Sequence, residues 1–199
     1  MIRLKNKNII MLGSGGHAKV LIDIILSNKL KVYAIIDTRL ELAEDFKNIK
    51  HIKKDKEIEK KYSPERYEIL NGIGIIPGKK ILLRKKLYDY YKKLGFNFTK
   101  VIHSTAVISK NSKLGEGINI MAGCTIQPGT EIKQNSIINT GANIDHDCFI
   151  GENVHIAPGV TLCGNVKVGE NSFIGAGVVC IPGTVVPPNS IIPAGKILK

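Results

Sequence analysis

The stretch that decides the fold is periodic, and residues 131–162 show its pattern: EIKQNSIINT GANIDHDCFI GENVHIAPGV TL. An aliphatic residue returns at every sixth position from Ile102 to Leu198, with the small hydrophobe Cys180 as the one exception. A second column, three residues later, contains only Gly, Asn or Asp from Asn111 to Gly195. These residue types tolerate the left-handed backbone region that sharp corners need. A period of six fits neither a helix nor an ordinary strand, and it predicts short strands joined by tight turns.

Three consecutive repeats, each a short strand and its corner, form one triangular coil, whose axis is filled by the aliphatic side chains. Because each coil contacts only its neighbours, we expect the free energy of unfolding to be close to a sum over coils. The predicted architecture is an α/β, Rossmann-like domain over residues 1–98 followed by a parallel β-helix over residues 99–199.

The N-terminal part begins with a predicted strand over Lys7–Leu12 and a glycine turn over Gly13–His17. A helix and a second strand, Val32–Ile36, follow, and the strand ends at Asp37. Amides at the start of such a helix favour phosphate, and an acid after the second strand can bind ribose. The spacing is Gly-x-Gly-Gly and not the full dinucleotide fingerprint, so a purely structural turn stays open as an alternative.

Further strands are predicted near Ile49–Ile52 and over Glu68–Ile73, and a further helix over Lys79–Leu94. The apolar positions Val20, Leu21, Ile24 and Ile25 predict the first helix. The buried face of the last helix is predicted to comprise Leu82, Leu83, Leu87, Tyr90, Tyr91 and Leu94.

The distribution of charge and the cysteine content limit the kinds of function that this chain can have. The net charge of +12 lies wholly in residues 1–100, which carry 23 Lys+Arg against 11 Asp+Glu; the remaining residues carry six of each. Either this is a solvated lysine-rich surface, or it attracts anionic small molecules such as nucleotides and coenzyme A. The basic half lacks aromatic-basic interleaving, which argues against nucleic acid. Four cysteines without CxxC spacing, no secretory signal and no long apolar run predict a cytoplasmic protein with reduced thiols and no membrane span.

The turn Gly13-Ser14-Gly15-Gly16-His17-Ala18, combined with a hexapeptide helix carrying Asn139-Thr140 and Asp145-His146-Asp147, resembles one family of bacterial enzymes. It comprises sialic acid O-acetyltransferases and the nucleotide-linked aminosugar N-acetyltransferases of bacillosamine and perosamine type. The resemblance implies a left-handed β-helix and a homotrimer with active sites between subunits. It also implies acetyl-CoA as co-substrate, a nucleotide-linked aminosugar as partner and no metal.

Carried over residue by residue, the resemblance implies that His146 is the general base and that Asp147 orients it or raises its basicity. The implied acetyl-CoA contacts are His155, Gly164, Ala176 and Ala194. The implied contacts of the nucleotide-sugar are Gly15, Gly16, His17, Asp37, Thr38, Gly74 and Asn139. Thr38 stands where some aminosugar members have a second acid.

The repeat itself adds an independent argument. Gly164 follows His146 by one full coil, so the two should stack at one corner, where the glycine leaves room for the imidazole and exposes an N–H. Ala176 and Ala194 are also one coil apart and could line a shallow groove for the pantetheine arm.

Structural alternatives stay open for three of these residues. Asp147 could serve only as a corner residue, His155 could be a solvated outward-facing side chain, and His17 could merely cap its helix. His51 and His103 have no neighbouring motif and are predicted to be surface residues.

The predicted function is direct N-acetylation of a nucleotide-linked 4-amino-4,6-dideoxysugar in bacterial surface glycan biosynthesis. One alternative is O-acetylation of a sialic-acid-like sugar, and another is a non-catalytic β-helix scaffold. A metal site is disfavoured because His146 and His155 are half a coil apart.

Overall fold

The computed structural model describes residues 8–39, 41–53, 56–75 and 81–199. They divide into two compact units at Val101/Ile102, whereas the sequence predicts a boundary near residue 98. The predicted strand start at Lys7 and helix start at Lys79 lie outside the described residues.

The first unit is built on a parallel sheet with strand order β3-β2-β1-β4. Its strands are β1 (Asn8–Leu12), β2 (Val32–Ile36), β3 (Lys50–Ile52) and β4 (Tyr67–Asn71). Its helices are α1 (Gly16–Ser27), α2 (Lys56–Lys61) and α3 (Ile81–Lys93), with a short 3₁₀ turn at Glu44–Phe46. Since the strands are parallel, their carboxyl ends meet at one edge, and the loops after β1, β2 and β4 lie together there.

The buried face of the last helix differs from the prediction, whereas the first helix forms as predicted. In α1, Ala18 and Ile22 are buried with three of the apolar positions that predict this helix, and the fourth, Val20, is exposed. In α3, Leu82 is 72% exposed, Leu83 is also exposed, and Arg84 is completely buried. The Arg84 Nη1 donates to the carbonyls of Asn71 and Ile73, at 2.9 and 2.8 Å. These hydrogen bonds set the rotation of the helix, so the two leucines turn away from the core.

The second unit consists of two-residue strands in regular succession. In chain order they are β5 (Val101–Ile102), β6 (Val107–Ile108), β7 (Lys113–Leu114), β8 (Asn119–Ile120), β9 (Thr125–Ile126), β10 (Glu131–Ile132), β11 (Ile137–Ile138), β12 (Asn143–Ile144), β13 (Phe149–Ile150), β14 (His155–Ile156), β15 (Thr161–Leu162), β16 (Lys167–Val168), β17 (Phe173–Ile174), β18 (Val179–Cys180), β19 (Val185–Val186), β20 (Ile191–Ile192) and β21 (Ile197–Leu198).

Every third strand joins the same parallel sheet. The three sheets have the orders β20-β17-β14-β11-β8-β5, β21-β18-β15-β12-β9-β6 and β19-β16-β13-β10-β7, which we call sheets I, II and III. Pairs such as Ile138 with Ile156 and Ile144 with Leu162 show that each strand is in register with the strand one coil further along the chain. The second unit is therefore the predicted left-handed parallel β-helix.

The corner column has the predicted backbone conformation. Every Gly, Asn or Asp of that column except Asn111 has a positive φ. On the third corner, Asn135, Asn153, Asn171 and Asn189 also join their side-chain amides in a ladder of hydrogen bonds along the helix. Corner residues thus stabilise the stack as well as the turns.

The axis is lined by two columns of side chains. One is the aliphatic column of the sequence repeat. The other lies two residues before it, and we call it the inner column. Its members from Ile118 to Thr184 are buried, and they include Cys124, Thr130, Ser136, Ala142, Cys148, Val154 and Ser172. Polar members of this column therefore face backbone groups of adjacent coils and not water.

Candidate active site

One group of predicted site residues lies at the corner that follows β12. His146 is exposed there, and its Nδ1 donates to Asp147 Oδ2 at 2.9 Å. Asp147 has a φ of +58°, which turns its carboxylate back towards the imidazole. Asp145 Oδ1 accepts the backbone N–H of His146 at 2.8 Å. With Nδ1 as the donor, Nε2 is left as the basic nitrogen.

The carboxylates around His146 make it a stronger base. The hydrogen bond to Asp147, followed by the charge of Asp145, raises the pKa of His146 above its ordinary value. Asp147 is therefore both a corner residue and the partner of the imidazole, so the two alternatives drawn from the sequence do not exclude each other.

Gly164 lies directly against the imidazole in the next coil. A β-carbon on Gly164 would come within 2.6 Å of both Cε1 and Nε2 of His146. The Asn165 N–H donates to the carbonyl of His146 at 2.9 Å, as the stacking of successive coils requires. Only glycine at position 164 leaves room for the His146 imidazole.

The Gly164 N–H differs from the equivalent amide one coil earlier. The His146 N–H is taken by Asp145, but Cys163, which precedes Gly164, has no carboxylate. Within residues 81–199 and the other described segments, the Gly164 N–H has no acceptor. A hydrogen-bond donor beside a basic nitrogen is the arrangement that an oxyanion-forming reaction uses.

A second group lies along sheet I and the corner that follows it. His155 is only 7% exposed, so the alternative of a solvated side chain is wrong. Its ring meets Phe173 edge-on, with centroids 5.1 Å apart, and its Nε2 lies 3.3 Å from Asn139 Nδ2. Asn139 Oδ1 accepts the N–H of Thr140 at 2.8 Å, which orients the amide so that Nδ2 faces His155. The packing of Phe173 explains the burial that the strand pattern could not predict.

Ala176 and Ala194 stack in this second group. The Gly195 N–H donates to the carbonyl of Ala176 at 2.9 Å, and both alanines are exposed. Pro158 precedes them in the same column, where it accepts the Gly177 N–H at 3.0 Å. The column presents small side chains to the outside, as the sequence predicts.

The two groups lie on different corners of one coil. His146, Asp147 and Gly164 follow strands of sheet II, whereas Asn139, Ala176 and Ala194 follow strands of sheet I. Within one chain, the members of each group therefore lie together, but the two groups lie on separate corners.

In the first unit, the predicted contacts of the nucleotide-sugar gather at the carboxyl edge of the sheet. Gly15 is the N-cap of α1, without a side-chain hydrogen bond, and the first turn of α1 contains no acidic residue. The N-cap position itself belongs to Gly15 and not to His17. A β-carbon on Gly74 would lie 3.1 Å from His17 Cβ, so the loop after β4 packs on the start of α1.

Asp37 lies at the same edge, but its carboxylate already accepts hydrogen bonds from other residues of the chain. Its Oδ2 accepts hydrogen bonds from the N–H and hydroxyl of Ser14, at 2.8 and 2.7 Å. Arg39 donates to Oδ1 through its backbone N–H and Nε, and to Oδ2 through Nη2 at 2.8 Å. Burial opposes ionisation, but the hydrogen bonds of Arg39 and Ser14 outweigh it and hold the pKa of Asp37 well below its usual range. The sequence pattern did not single out Ser14 or Arg39.

Beside Asp37 and Thr38 lies a cavity of about 180 Å³. Its remaining lining is Leu12, Gly13, Ile36, Ile73, Leu83 and Leu87. Leu83, predicted to lie in the core, thus lines this cavity. An apolar recess with a carboxylate at its border fits a flat ring that carries a hydroxylated substituent.

The two histidines predicted to be plain surface residues both have partners. His51 Nε2 lies 2.8 Å from the carbonyl of Asp37, so it supports the end of β2 from β3. His103 Nδ1 lies 2.8 Å from the Thr105 hydroxyl. Across the described segments, no group of three His, Cys, Asp or Glu side chains could hold a metal ion. Nor does any described helix have the length and apolarity to cross a membrane.

Comparisons with known proteins agree with this architecture. Residues 8–91 match the PglD N-terminal domain, and residues 147–182 match the bacterial transferase hexapeptide of six repeats. PerB from Caulobacter crescentus, solved in complex with CoA and GDP-perosamine, is 33% identical with a TM-score of 0.86, over 96% of this chain and 88% of that one.

The acetyltransferase domain of PglB from Neisseria gonorrhoeae is 29% identical, with a TM-score of 0.87 over 98% of this chain and 92% of that one. The same domain has been solved with acetyl coenzyme A. The chain therefore belongs to the family of coenzyme A-dependent acetyltransferases in which a PglD N-terminal domain precedes a transferase hexapeptide helix.

Proposed function

We propose that this acetyltransferase transfers the acetyl group of acetyl-CoA to the amino group of a nucleotide-linked 4-amino-4,6-dideoxysugar. The observation that carries the proposal is the hydrogen-bonded pair of His146 and Asp147, with the backbone N–H of Gly164 beside it. The likeness to PerB, whose structure contains CoA and GDP-perosamine, supports the class of acceptor.

In the proposed reaction, Nε2 of neutral His146 takes a proton from the acceptor amine as the nitrogen attacks the thioester carbon. Asp147 stabilises the imidazolium that forms, and the Gly164 N–H donates to the developing oxyanion. The new C–N bond then replaces the C–S bond, and the coenzyme A thiolate leaves and recovers the proton from His146.

A covalent acyl-enzyme is not part of this mechanism. Cys148, two residues after His146, is buried in the inner column, and burial raises the pKa of its thiol. Its Sγ donates to the carbonyl of Cys163 at 3.2 Å. A protonated thiol held inside the coil is not a nucleophile for a thioester outside it.

The complete site requires two chains in this proposal. Because the His146 corner and the Ala176 corner are different corners of one coil, a bound acetyl-CoA that touches both would lie between neighbouring β-helices of a homotrimer. His155 and Asn139 would then border the acyl group or the acceptor from the second chain. Closed rotational symmetry gives every such interface the same pair of corners.

The first unit is proposed to hold the nucleotide. Phosphate oxygens would meet the amides of Gly15 and Gly16 at the start of α1, and the base would enter the cavity beside Thr38. Ribose hydroxyls can reach Asp37 only if Arg39 releases it, since both carboxylate oxygens are engaged. The Arg39 side chain is 53% exposed, so it can swing away and face the diphosphate.

The test is a coenzyme A release assay with GDP-perosamine, UDP- and dTDP-linked 4-amino-4,6-dideoxysugars and free sialic acid. We expect turnover with one nucleotide-linked aminosugar and competition by its free nucleoside diphosphate. The Asp37→Ala variant should weaken that competition. We also expect His146→Ala to lower turnover by about 10²–10⁴-fold while it leaves the melting temperature unchanged, because the exposed ring fills no core.

Efficient acetylation of free sialic acid, with no competition by nucleotide, would replace this proposal with the O-acetyltransferase alternative. Near-normal turnover of His146→Ala would remove that residue from the mechanism. An absence of coenzyme A release with every one of these acceptors would exclude the proposed class of acceptor.

A further inference from the structure

We propose that Thr130 is a positioning residue. From the preceding coil, its side chain keeps apart the two ends of the turn that contains His146 and Asp147. The inference rests on the proposed function, because it assigns to Thr130 the placement of the proposed base. Thr130 belongs to the inner column and is completely buried, so its side chain cannot touch a substrate. Any effect it has on turnover must pass through other residues.

The Thr130 hydroxyl bridges the two ends of the turn. It donates to the carbonyl of Asp145 at 2.8 Å and accepts the N–H of Cys148 at 3.3 Å. His146 and Asp147 are the two residues between those ends. The position of this one oxygen therefore sets the separation of the backbone groups on either side of the pair.

Other corners of the helix close without such a bridge. The N–H of Ala142 donates directly to the carbonyl of Asn139 at 3.1 Å, and that of Val178 to the carbonyl of Gly175 at 3.2 Å. These are ordinary turns with a hydrogen bond from the fourth residue to the first. At the His146 corner the Thr130 hydroxyl lies between the Cys148 N–H and the Asp145 carbonyl. The two ends of this turn are therefore bridged by a hydroxyl oxygen and do not bond to each other directly.

The same device occurs where there is no proposed site. The Ser172 hydroxyl donates to the carbonyl of Pro187 and accepts the N–H of Ser190, both at 3.1 Å. Ser136 makes an equivalent bridge two coils earlier. Bridging by a hydroxyl is therefore compatible with a purely structural corner, and it does not by itself indicate function. What distinguishes Thr130 is the pair of residues that its bridge positions, and this makes Ser172 a matched control.

Removal of the Thr130 hydroxyl has a predictable structural consequence. The carbonyl of Asp145 and the N–H of Cys148 lose their partner, and each can recover one by closing on the other as in the turns at Ala142 and Val178. Closure would limit the loss of stability but would move Asp147 and the imidazole relative to Gly164. A displacement of about 1 Å in a reacting group can lower a rate about 100-fold.

The first experiment compares Thr130→Val with Ser172→Ala in the whole chain. We expect both to lower the melting temperature by similar amounts, since each loses one buried hydroxyl bridge. Only Thr130→Val should lower kcat, by about 10- to 100-fold, with little change in the KM for acetyl-CoA. Thr130→Ser, which keeps the hydroxyl, should restore most of the turnover.

A second readout does not depend on turnover. In the wild type, ¹⁵N shifts of the His146 imidazole, assigned with His146→Ala, should show the proton on Nδ1, donated to Asp147. Thr130→Val should weaken that preference, and Ser172→Ala should leave it unchanged. If Thr130→Val does not fold, Thr130→Ala takes its place, because the inner column already accepts alanine at Ala142.

The outcomes separate this inference from the proposed function. If Thr130→Val loses no more kcat than Ser172→Ala, or if its imidazole shifts match the wild type, Thr130 is only structural. If His146→Ala keeps its turnover, the proposed role of His146 as the base fails, and with it this inference, whatever Thr130 does to the imidazole shifts.

Discussion

Asp147 combines two requirements in one residue. The corner needs a residue that accepts a positive φ, and Asp does so more readily than most side chains. That same backbone conformation places the carboxylate 2.9 Å from His146 Nδ1, above Gly129, where a β-carbon would collide with it. The residue type that this corner accepts is therefore also one whose carboxylate can raise the pKa of the neighbouring imidazole.

We expect Asp147→Asn to move the pH dependence of turnover. Neutral His146 is the proposed base, so the rate rises as the pH passes its pKa, which Asp147 and Asp145 raise. Without the Asp147 charge that pKa falls towards about 6.5, and the acidic limb of the kcat profile moves to lower pH. The plateau at high pH should also drop, because the imidazolium loses its partner.

Asn is the appropriate replacement because it tolerates the left-handed conformation, so the melting temperature serves as the control. An unshifted acidic limb would show that the titrating group is not His146.

Gly164→Ala tests the contact between the two coils. The added methyl group would lie 2.6 Å from the imidazole, so the ring must turn away from the Gly164 N–H. Since the φ of Gly164 is not positive, the change adds no backbone strain. We expect kcat to fall about 10- to 100-fold and the melting temperature to fall slightly.

A double-mutant cycle with His146→Ala supplies the control for Gly164→Ala. Once the ring is absent, the methyl group has space, and Gly164→Ala should no longer change the melting temperature. A loss of stability that persists in the double variant would mean that the methyl group meets something other than the imidazole.

Among the secondary-structure elements, α3 shows most clearly what a sequence pattern cannot provide. Counting aliphatic residues places Leu82 and Leu83 in the core, but the structure buries Arg84 with Tyr88 and Tyr91. These are spaced as one helix face, at intervals of four and three residues. The reason is a polar requirement, since the carbonyls of Asn71 and Ile73 need donors after β4 has ended. Such a requirement arises from tertiary structure and leaves no periodic signal.

We expect Arg84→Met to destabilise the first unit. Methionine fills much of the volume, but the carbonyls of Asn71 and Ile73 lose donors that lie 2.9 and 2.8 Å away. Each buried acceptor left without a partner costs about 1–3 kcal/mol, so the free energy of unfolding should drop by roughly 2–6 kcal/mol. Urea unfolding measures this change, with Lys86→Met on the exposed face of the same helix as the control.

A drop of less than about 1 kcal/mol for Arg84→Met would mean that water or another side chain replaces the guanidinium at these carbonyls.

The two units differ in how completely the sequence predicts their structures. The β-helix is predictable in detail, because each coil repeats the same contacts and counting three repeats forward places Gly164 against His146. The repeat does not predict the burial of His155, because that burial depends on which side chain covers one outward-facing position. In the first unit, the order of strands and helices follows from local patterns. The engagement of Asp37 by Arg39 does not, because neither periodicity nor a motif records it.

The proposed trimer makes a prediction about mixtures of inactive chains. His146→Ala disables one corner of the chain, and Ala176→Trp should block the other by filling the small-residue column. Each variant alone should be inactive. If every site combines the His146 corner of one chain with the Ala176 corner of its neighbour, co-assembled chains regain sites in which both corners are intact. In every mixed trimer, only one of the interfaces joins the intact His146 corner to the intact Ala176 corner, so about a third of the wild-type sites should be restored.

Co-expression with two different affinity tags, followed by purification through both, provides the mixed assemblies for the turnover measurement. The matched control mixes His146→Ala with His146→Asn, which damage the same corner, so no interface contains an undamaged His146 corner and no sites should be regained. Recovery in the first mixture and not in the second requires a site between subunits. No recovery in either, with sedimentation showing mixed trimers, would place acetyl-CoA within one chain, and the separation of the two corners would then need a different explanation.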